Sequence, residues 1–311
     1  MHRSFAYLGD PILEMNITDL CNLRCDFCPR AHGYPNNNVH MSMDMLDTIL
    51  DSRYDFYRRQ NKYVPIYAIG RGEPTLHENW TEIVQKVAEH NKKYYGLDYG
   101  IDEIHTNGYK WESWIPEYGH LIHKVHFNCY YNRNFVEYLK IKEHFSGTNV
   151  WVYDRGTTGN NEGKTDQRVD GLGVVHKVRY NNRAGSIPQD VIPLTDVTET
   201  KNEICMKPWQ TLYIDFDGEW RICCNDWTDL VSLGNIKDFG MYDHIWKNPK
   251  YIEYRWRLIN GDRKLTPCNK CNAVPHPDFI ENYKEAIKLL KSWDPAWLRE
   301  VKETLPYNEK F

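Results

Sequence analysis

Three cysteines fall within the eight residues Cys21-Asn-Leu-Arg-Cys25-Asp-Phe-Cys28, directly after an apolar run, Leu13 to Thr18, that reads as a first strand. A segment that must turn three thiols towards one point is a loop built around a bound group. Nine cysteines scattered at random over 311 residues would give this spacing on the order of 0.01 times, so chance is a poor explanation. A structural zinc site wants four closed ligands, usually as two C-x2-C pairs, and only three are local here. Three thiolates on a four-iron cluster instead leave one iron without a protein ligand, which is what that iron needs to bind a small molecule.

The chain up to about residue 180 alternates short strand-like runs with helical patterns. After Leu13 to Thr18 come Val64 to Ile69, Ile101 to Thr106, His123 to Asn128, Asn149 to Asp154 and Val174 to Arg179. Amphipathic helices are expected over Ser42 to Gln60, with Ser42 as N-cap, and over Glu78 to Tyr95 and Arg133 to Phe145. Such alternation predicts an α/β fold with a parallel sheet, and about six units predict a partial (β/α)6 TIM-type barrel rather than a closed one of eight. Functional polar residues then belong at the C-terminal ends of the strands. The polar, glycine-rich stretch Arg155 to Gly173 reads as an exposed loop, either a lid or a plain insertion.

Beyond a linker at 183–203, a second unit opens at Cys205. There LYIDFDGEWRIC alternates apolar and polar residues about Asp217-Gly218 and predicts a hairpin with a two-residue type I′ turn. Tyr242 to Leu258 reads as a helix interrupted at Pro249, and Phe279 to Thr304 as two helical pieces broken at Asp294-Pro295. Four thiols, Cys205, Cys223, Cys268 and Cys271, gather on the hairpin and a distant C-x2-C. By count they suit a closed four-iron cluster or a zinc site equally. Strand alternation points adjacent Cys224 away from Cys223, and Cys129 reads as a buried small hydrophobe.

A formal charge of −4 without a basic stripe argues against a nucleic-acid partner. The N-terminus lacks a signal-peptide pattern and no run approaches about 18 apolar residues, so a cytoplasmic protein without a membrane partner is expected. In that compartment cysteines serve as ligands or buried thiols rather than disulfides. The 22 tyrosines and 11 tryptophans are read chiefly as packing.

The C-x3-C-x-aromatic-C pattern, with Phe27 in the aromatic place, resembles the signature of the radical S-adenosylmethionine (SAM) superfamily. That resemblance implies a [4Fe-4S] cluster on Cys21, Cys25 and Cys28 whose open iron chelates SAM. It also implies an external electron donor such as flavodoxin or ferredoxin, and reductive cleavage to a 5′-deoxyadenosyl radical that abstracts hydrogen from substrate. Gly70-Arg71-Gly72-Glu73-Pro74 is similar to the family's G-G-E-P segment, so Gly72, Glu73 and Pro74 are expected to hold the SAM amino group, although Arg71 stands where glycine is commonest. Thr106-Asn107-Gly108 resembles the T-N-G segment, and Asn107 and Asn128 join the expected SAM contacts. Asn182-Arg183-Ala184-Gly185 resembles a stretch that precedes accessory domains, its arginine either a carboxylate clamp or a partner for a surface acid.

The second cysteine set resembles the Twitch module, a shortened SPASM domain with one auxiliary [4Fe-4S] cluster. The layout expected is therefore a core at 1–182, the linker at 183–203, an auxiliary domain of β-hairpin and helix at 204–275, and a helical tail at 276–311. Two clusters and SAM are the implied cofactors. The expected reaction is dehydrogenation of a polar, sugar-like metabolite; a peptide maturase and a noncatalytic iron–sulfur or zinc scaffold are the alternatives. Dehydrogenation demands a base that sequence does not single out.

Overall fold

The computed structural model describes residues 11–25, 27–128, 139–146, 151–154, 166–169, 175–178, 181–188, 204–229 and 231–273. The expected tail helices, Cys129 and most of the linker lie outside these residues. Strands β1 (Ile12–Met15), β2 (Ile66–Ala68), β3 (Glu103–Thr106), β4 (Lys124–Phe127) and β5 (Trp151–Asp154) fall where the apolar runs predict. Each pairs in parallel with the next. Between them run α1 (Met43–Gln60) and α2 (Trp80–Tyr95). The Ser42 hydroxyl accepts from the Met45 amide at 3.1 Å, the expected N-cap, and α1 stops at Asn61, whose φ of 52° is left-handed.

The sixth parallel strand is not the expected one. Val175–Val178 pairs antiparallel with Asp166–Val169 in a separate two-stranded ribbon (β7 with β6), so part of the stretch read as a loop is strand. The sixth place is taken by β8 (Thr211–Ile214), which lies parallel to β1 on the side away from β2. With β9 (Trp220–Arg221) antiparallel to β8, the order is β5-β4-β3-β2-β1-β8-β9. The fold is thus mixed α/β with six parallel strands, and the hairpin read as part of a separate unit extends the main sheet. Its turn also differs from type I′. Only Gly218 has positive φ (82°), the Gly218 amide donates to the Asp215 carbonyl at 2.9 Å, and the loop is one residue longer than expected.

Alternation gives the sheet two unlike faces. Leu13, Met15, Ile66, Ala68, Ile104, Val125, Phe127, Leu212 and Ile214 are essentially inaccessible and form the core with Leu46, Ile49, Ile83, Val84 and Val87 from the helices. Each of these side chains other than Ala68 contributes about 1.5–3 kcal/mol relative to exposure. The other face is polar. Tyr213, Glu14, Tyr67 and Glu103 stand in one row across β8, β1, β2 and β3, and His105 pairs in register with His126 on β4. The split of the helix at Pro249 is present, as α3 (Met241–Lys247) and α4 (Pro249–Ile259), and the Met241 amide donates to Ser52 of α1 at 2.6 Å.

Candidate functional site

Because the six long-axis strands are parallel, their C-terminal ends gather at one rim of the sheet, and the cysteine loop leaves β1 there. The Cys28 amide donates to the Cys25 carbonyl at 2.9 Å, turning the loop around half-buried Phe27. Asn36 staples the loop from outside, accepting from the Cys21 amide and donating to its carbonyl at 2.9 and 3.0 Å. Buried Arg30 ties it to the neighbouring loop, donating to the Arg71 carbonyl and pairing with Asp19 at 2.9 Å. Burial pushes the Cys21 thiol up to about 11 and raises Cys28 as well.

The loop after β2 closes on this one. A Cβ on Gly72 would stand 2.3 Å from the Thr18 carbonyl oxygen and 2.6 Å from that of Leu20, so only glycine lets the backbones meet. The Glu73 amide donates to the Leu20 carbonyl at 2.8 Å. The Glu73 carboxylate is buried and accepts from the Thr106 hydroxyl at 2.6 Å, the Asn107 amide at 2.7 Å and the Thr75 hydroxyl at 2.9 Å. Burial raises its pKa against those hydrogen bonds. Pro74 opens the helical turn that follows, and the Asn107 side chain donates to Asn22 of the cysteine loop at 2.9 Å. Asn128 follows β4, its amide donating to the Thr106 carbonyl at 2.6 Å. The structure therefore brings the cysteine loop, Gly72, Glu73, Pro74, Asn107 and Asn128 to one rim.

Arg71 does more than replace a glycine. Its buried guanidinium meets Asp215 at 3.3 Å, Asp229 at 2.5 Å, the Asp226 carbonyl at 2.8 Å and the Tyr34 hydroxyl at 2.5 Å. It thereby fastens this rim to the segment after β9.

On the polar face, sequence reading missed a cluster. The Glu103 carboxylate meets Nε2 of His105 at 2.6 Å and Nε2 of His126 at 3.2 Å, and the two rings stack with centroids 4.7 Å apart and planes 25° apart. Desolvation would raise Glu103, but the hydrogen bonds and charges of both histidines outweigh it and hold the carboxyl well below its usual range. Among the described residues this is the group of three whose donor atoms lie within 4.8 Å of one another. The arrangement suits a carboxylate that orients imidazoles for proton transfer. The available signal was the E-x-H pattern on one strand with a histidine in register on the next, which needs the pairing to be known.

Cys205, Cys223, Cys268 and Cys271 line one cavity of about 240 Å³, together with Lys207, Asn225 and Arg263. Cys224 is not in that lining; it lies beside Glu14 and Lys207, which pair at 2.8 Å. Burial, then the neighbouring thiols, push Cys223 far above its usual value, and burial and then Cys205 do the same for Cys268. Thiols so crowded and dry ionise readily only when a shared cation compensates them. Tetrahedral zinc, with Zn–S near 2.3 Å, would need sulfurs about 3.8 Å apart. Four thiolates around one cavity can close either such a zinc site or a larger multi-iron group.

Residues 205–272 match the SPASM family, an iron–sulfur cluster-binding domain. Over 113 residues the chain is 30% identical to an uncharacterized protein of Methanocaldococcus jannaschii, a stretch covering 34% of this chain and 25% of that protein. The match thus spans about a quarter of that relative. The crystal structure of BtrN in complex with AdoMet and 2-DOIA superposes with a TM-score of 0.62 at 19% identity, over 85% of this chain and 94% of that one. Streptococcus suis SuiB bound to precursor peptide SuiA gives 0.52 at 13% identity, over 85% and 70%. At such identities these likenesses concern the fold.

Proposed function

We propose that this chain, a radical SAM protein with a SPASM-like C-terminal domain, oxidises a hydroxyl-bearing, sugar-like metabolite to a carbonyl compound. Cys21, Cys25 and Cys28 would hold one [4Fe-4S] cluster and Cys205, Cys223, Cys268 and Cys271 a second. Gly72, Glu73, Pro74, Asn107, Asn128 and Phe27 would surround SAM on the rim of a partial (β/α)6 barrel. When bound, these groups would supply a hydrogen-abstracting radical and an electron acceptor, with flavodoxin or ferredoxin as the electron source.

Turning a carbinol into a carbonyl removes a hydrogen atom, an electron and a proton. The proton is left to the protein, and the observation that carries this reading is the Glu103-anchored imidazole pair on the polar face of the sheet. The carboxylate fixes the orientation of each ring and stabilises the imidazolium formed when a ring takes up a proton, as an acidic residue does for a catalytic histidine. Glu14 and Tyr67, in the adjoining row, would offer hydrogen bonds to further hydroxyls. The likeness to BtrN, whose crystal structure holds 2-DOIA, supports a small-molecule substrate.

Anaerobic reconstitution should give about eight irons and SAM cleavage to 5′-deoxyadenosine. A panel of cyclitols, aminocyclitols and hexoses should then yield a product about two mass units lighter, because removal of the hydroxyl proton by a general base completes the loss of H2. Turnover of a peptide with no change in any sugar would favour the second reading, a peptide maturase, which the likeness to SuiB supports.

A further inference from the structure

Strands β3 and β4 bring three donors to one point of the polar face. Glu103 and His105 stand two residues apart on β3 and so share a face, and His126 lies beside His105 in the parallel register. Both rings turn Nε2 towards the same carboxylate, at 2.6 Å from Oε1 for His105 and 3.2 Å from Oε2 for His126. The donor atoms of all three lie within 4.8 Å of one another. The Glu103 side chain is 8% exposed and the imidazoles are 12% and 13% exposed, so the group is sheltered yet open to solvent on its imidazole side.

Two imidazole nitrogens and a carboxylate are also three members of a metal shell. Bonds of about 2.1 Å at a tetrahedral angle place neighbouring donors about 3.3 Å apart. The His126 contact, at 3.2 Å, already meets that spacing. The His105 contact, at 2.6 Å, has to open by roughly 0.7 Å to meet it, within the swing of one side chain. Such a donor set is of borderline softness, so it takes first-row divalent cations rather than calcium, and three protein ligands leave a position open for water. None of the three donors is a thiol, so cation binding here and iron–sulfur assembly at the cysteines draw on different ligands.

We propose that Glu103, His105 and His126 form a reversible site for a divalent first-row cation, and that cation and proton exclude one another there, so that metal occupancy switches off the base. The switching rests on the reading of the imidazole pair as that base; the site itself does not. A bound cation takes the Nε2 lone pairs that a proton from substrate would otherwise occupy. A neutral ring that binds through Nε2 carries its proton on Nδ1, and a ring already protonated releases one proton to solvent as the cation enters. The consequence is a control on oxidation that leaves both cysteine sites untouched.

The test is Mn2+ binding to the reconstituted, iron-counted full chain, followed by loss of the free-ion EPR signal; oxygen and nitrogen donors hold Mn2+, whereas thiolates select softer ions. Wild type should bind it saturably and more tightly as the pH rises, and Zn2+ should displace it. Glu103→Gln and His126→Gln should each weaken binding more than about 100-fold, beyond the roughly 10–100-fold that a residue merely supporting a ligand is worth. Pulsed EPR of the wild-type complex should show nitrogen bonded to manganese, which decides the matter if a variant fails to fold. No saturable binding by wild type, no bonded nitrogen, or undiminished binding by both folded variants would overturn the site. As a second readout, occupancy should stop oxidation of substrate while SAM cleavage to 5′-deoxyadenosine continues. Oxidation that proceeds with the cation bound would overturn the switch and the base reading together while leaving the site. Absence of binding, with His105→Gln still losing product, would remove the site and leave the base.

Discussion

Arg71 buries its cation against the carboxylates of Asp215 and Asp229 and the Asp226 carbonyl. Removing the cation as Arg71→Met leaves Asp215, 1% exposed, as a buried charge short of a partner. We expect a loss of about 1–3 kcal/mol in urea unfolding, because Asp215 keeps Arg221 at 3.6 Å and the Asn16 side-chain amide at 2.6 Å while losing its closer cation. Gly72→Ala should cost about 1–3 kcal/mol, because the added methyl must push the Thr18 and Leu20 carbonyls apart. It should also lower iron uptake at the first loop while the four-cysteine site still fills. For His105→Gln we expect oxidised product to fall about 10²–10⁴-fold, the usual worth of a positioned base, with SAM cleavage continuing. A variant that made product at the wild-type rate would remove His105 from the reaction.

At the level of elements, α3 carries a group whose ionisation opposes folding. His244 is fully buried, stacked between Trp220 and Tyr251 at 4.5 and 4.2 Å, and burial followed by the charge of Arg255 holds its pKa well below the ordinary 6.5. Unfolding frees a ring that protonates below 6.5, so the unfolded chain binds the extra proton and stability is lost as the pH falls through that value. Between about pH 7.5 and about pH 5.5, wild type should lose about 1.4 kcal/mol more than His244→Phe, measured by urea midpoints. Much of the element pattern was legible in the sequence: the first five strands, the Ser42 cap and the break at Pro249 each follow from local periodicity or a single residue. What was not legible is pairing. Nothing local says that Thr211–Ile214 seats beside Ile12–Met15, or that Val175–Val178 turns back on Asp166–Val169, because partners are chosen by burial across long separations. The cysteines could be singled out from spacing, and Gly72 and Glu73 from their likeness to a family segment, whereas Glu103, His105 and His126 become a group only once β3 and β4 are in register.

For the whole molecule, the sheet is shared between the first unit and the segment that bears the second cysteine set. Far-ultraviolet circular dichroism and tryptophan fluorescence should therefore report one coincident unfolding transition. Truncation after residue 203 should yield an aggregating chain rather than a folded core, since β1 would be left as an unpaired edge. Two separate transitions, or a soluble folded truncation, would show that the halves are independent. The same arrangement has a bearing on biosynthesis. In a nascent chain β1 emerges early, yet its second neighbour ends at Ile214, about 200 residues later, which at roughly 5–20 residues per second is about 10–40 s of translation. Throughout that interval the first cysteine loop follows a strand with one open edge, and we expect any group it binds to enter more readily before β8 pairs with β1 than after.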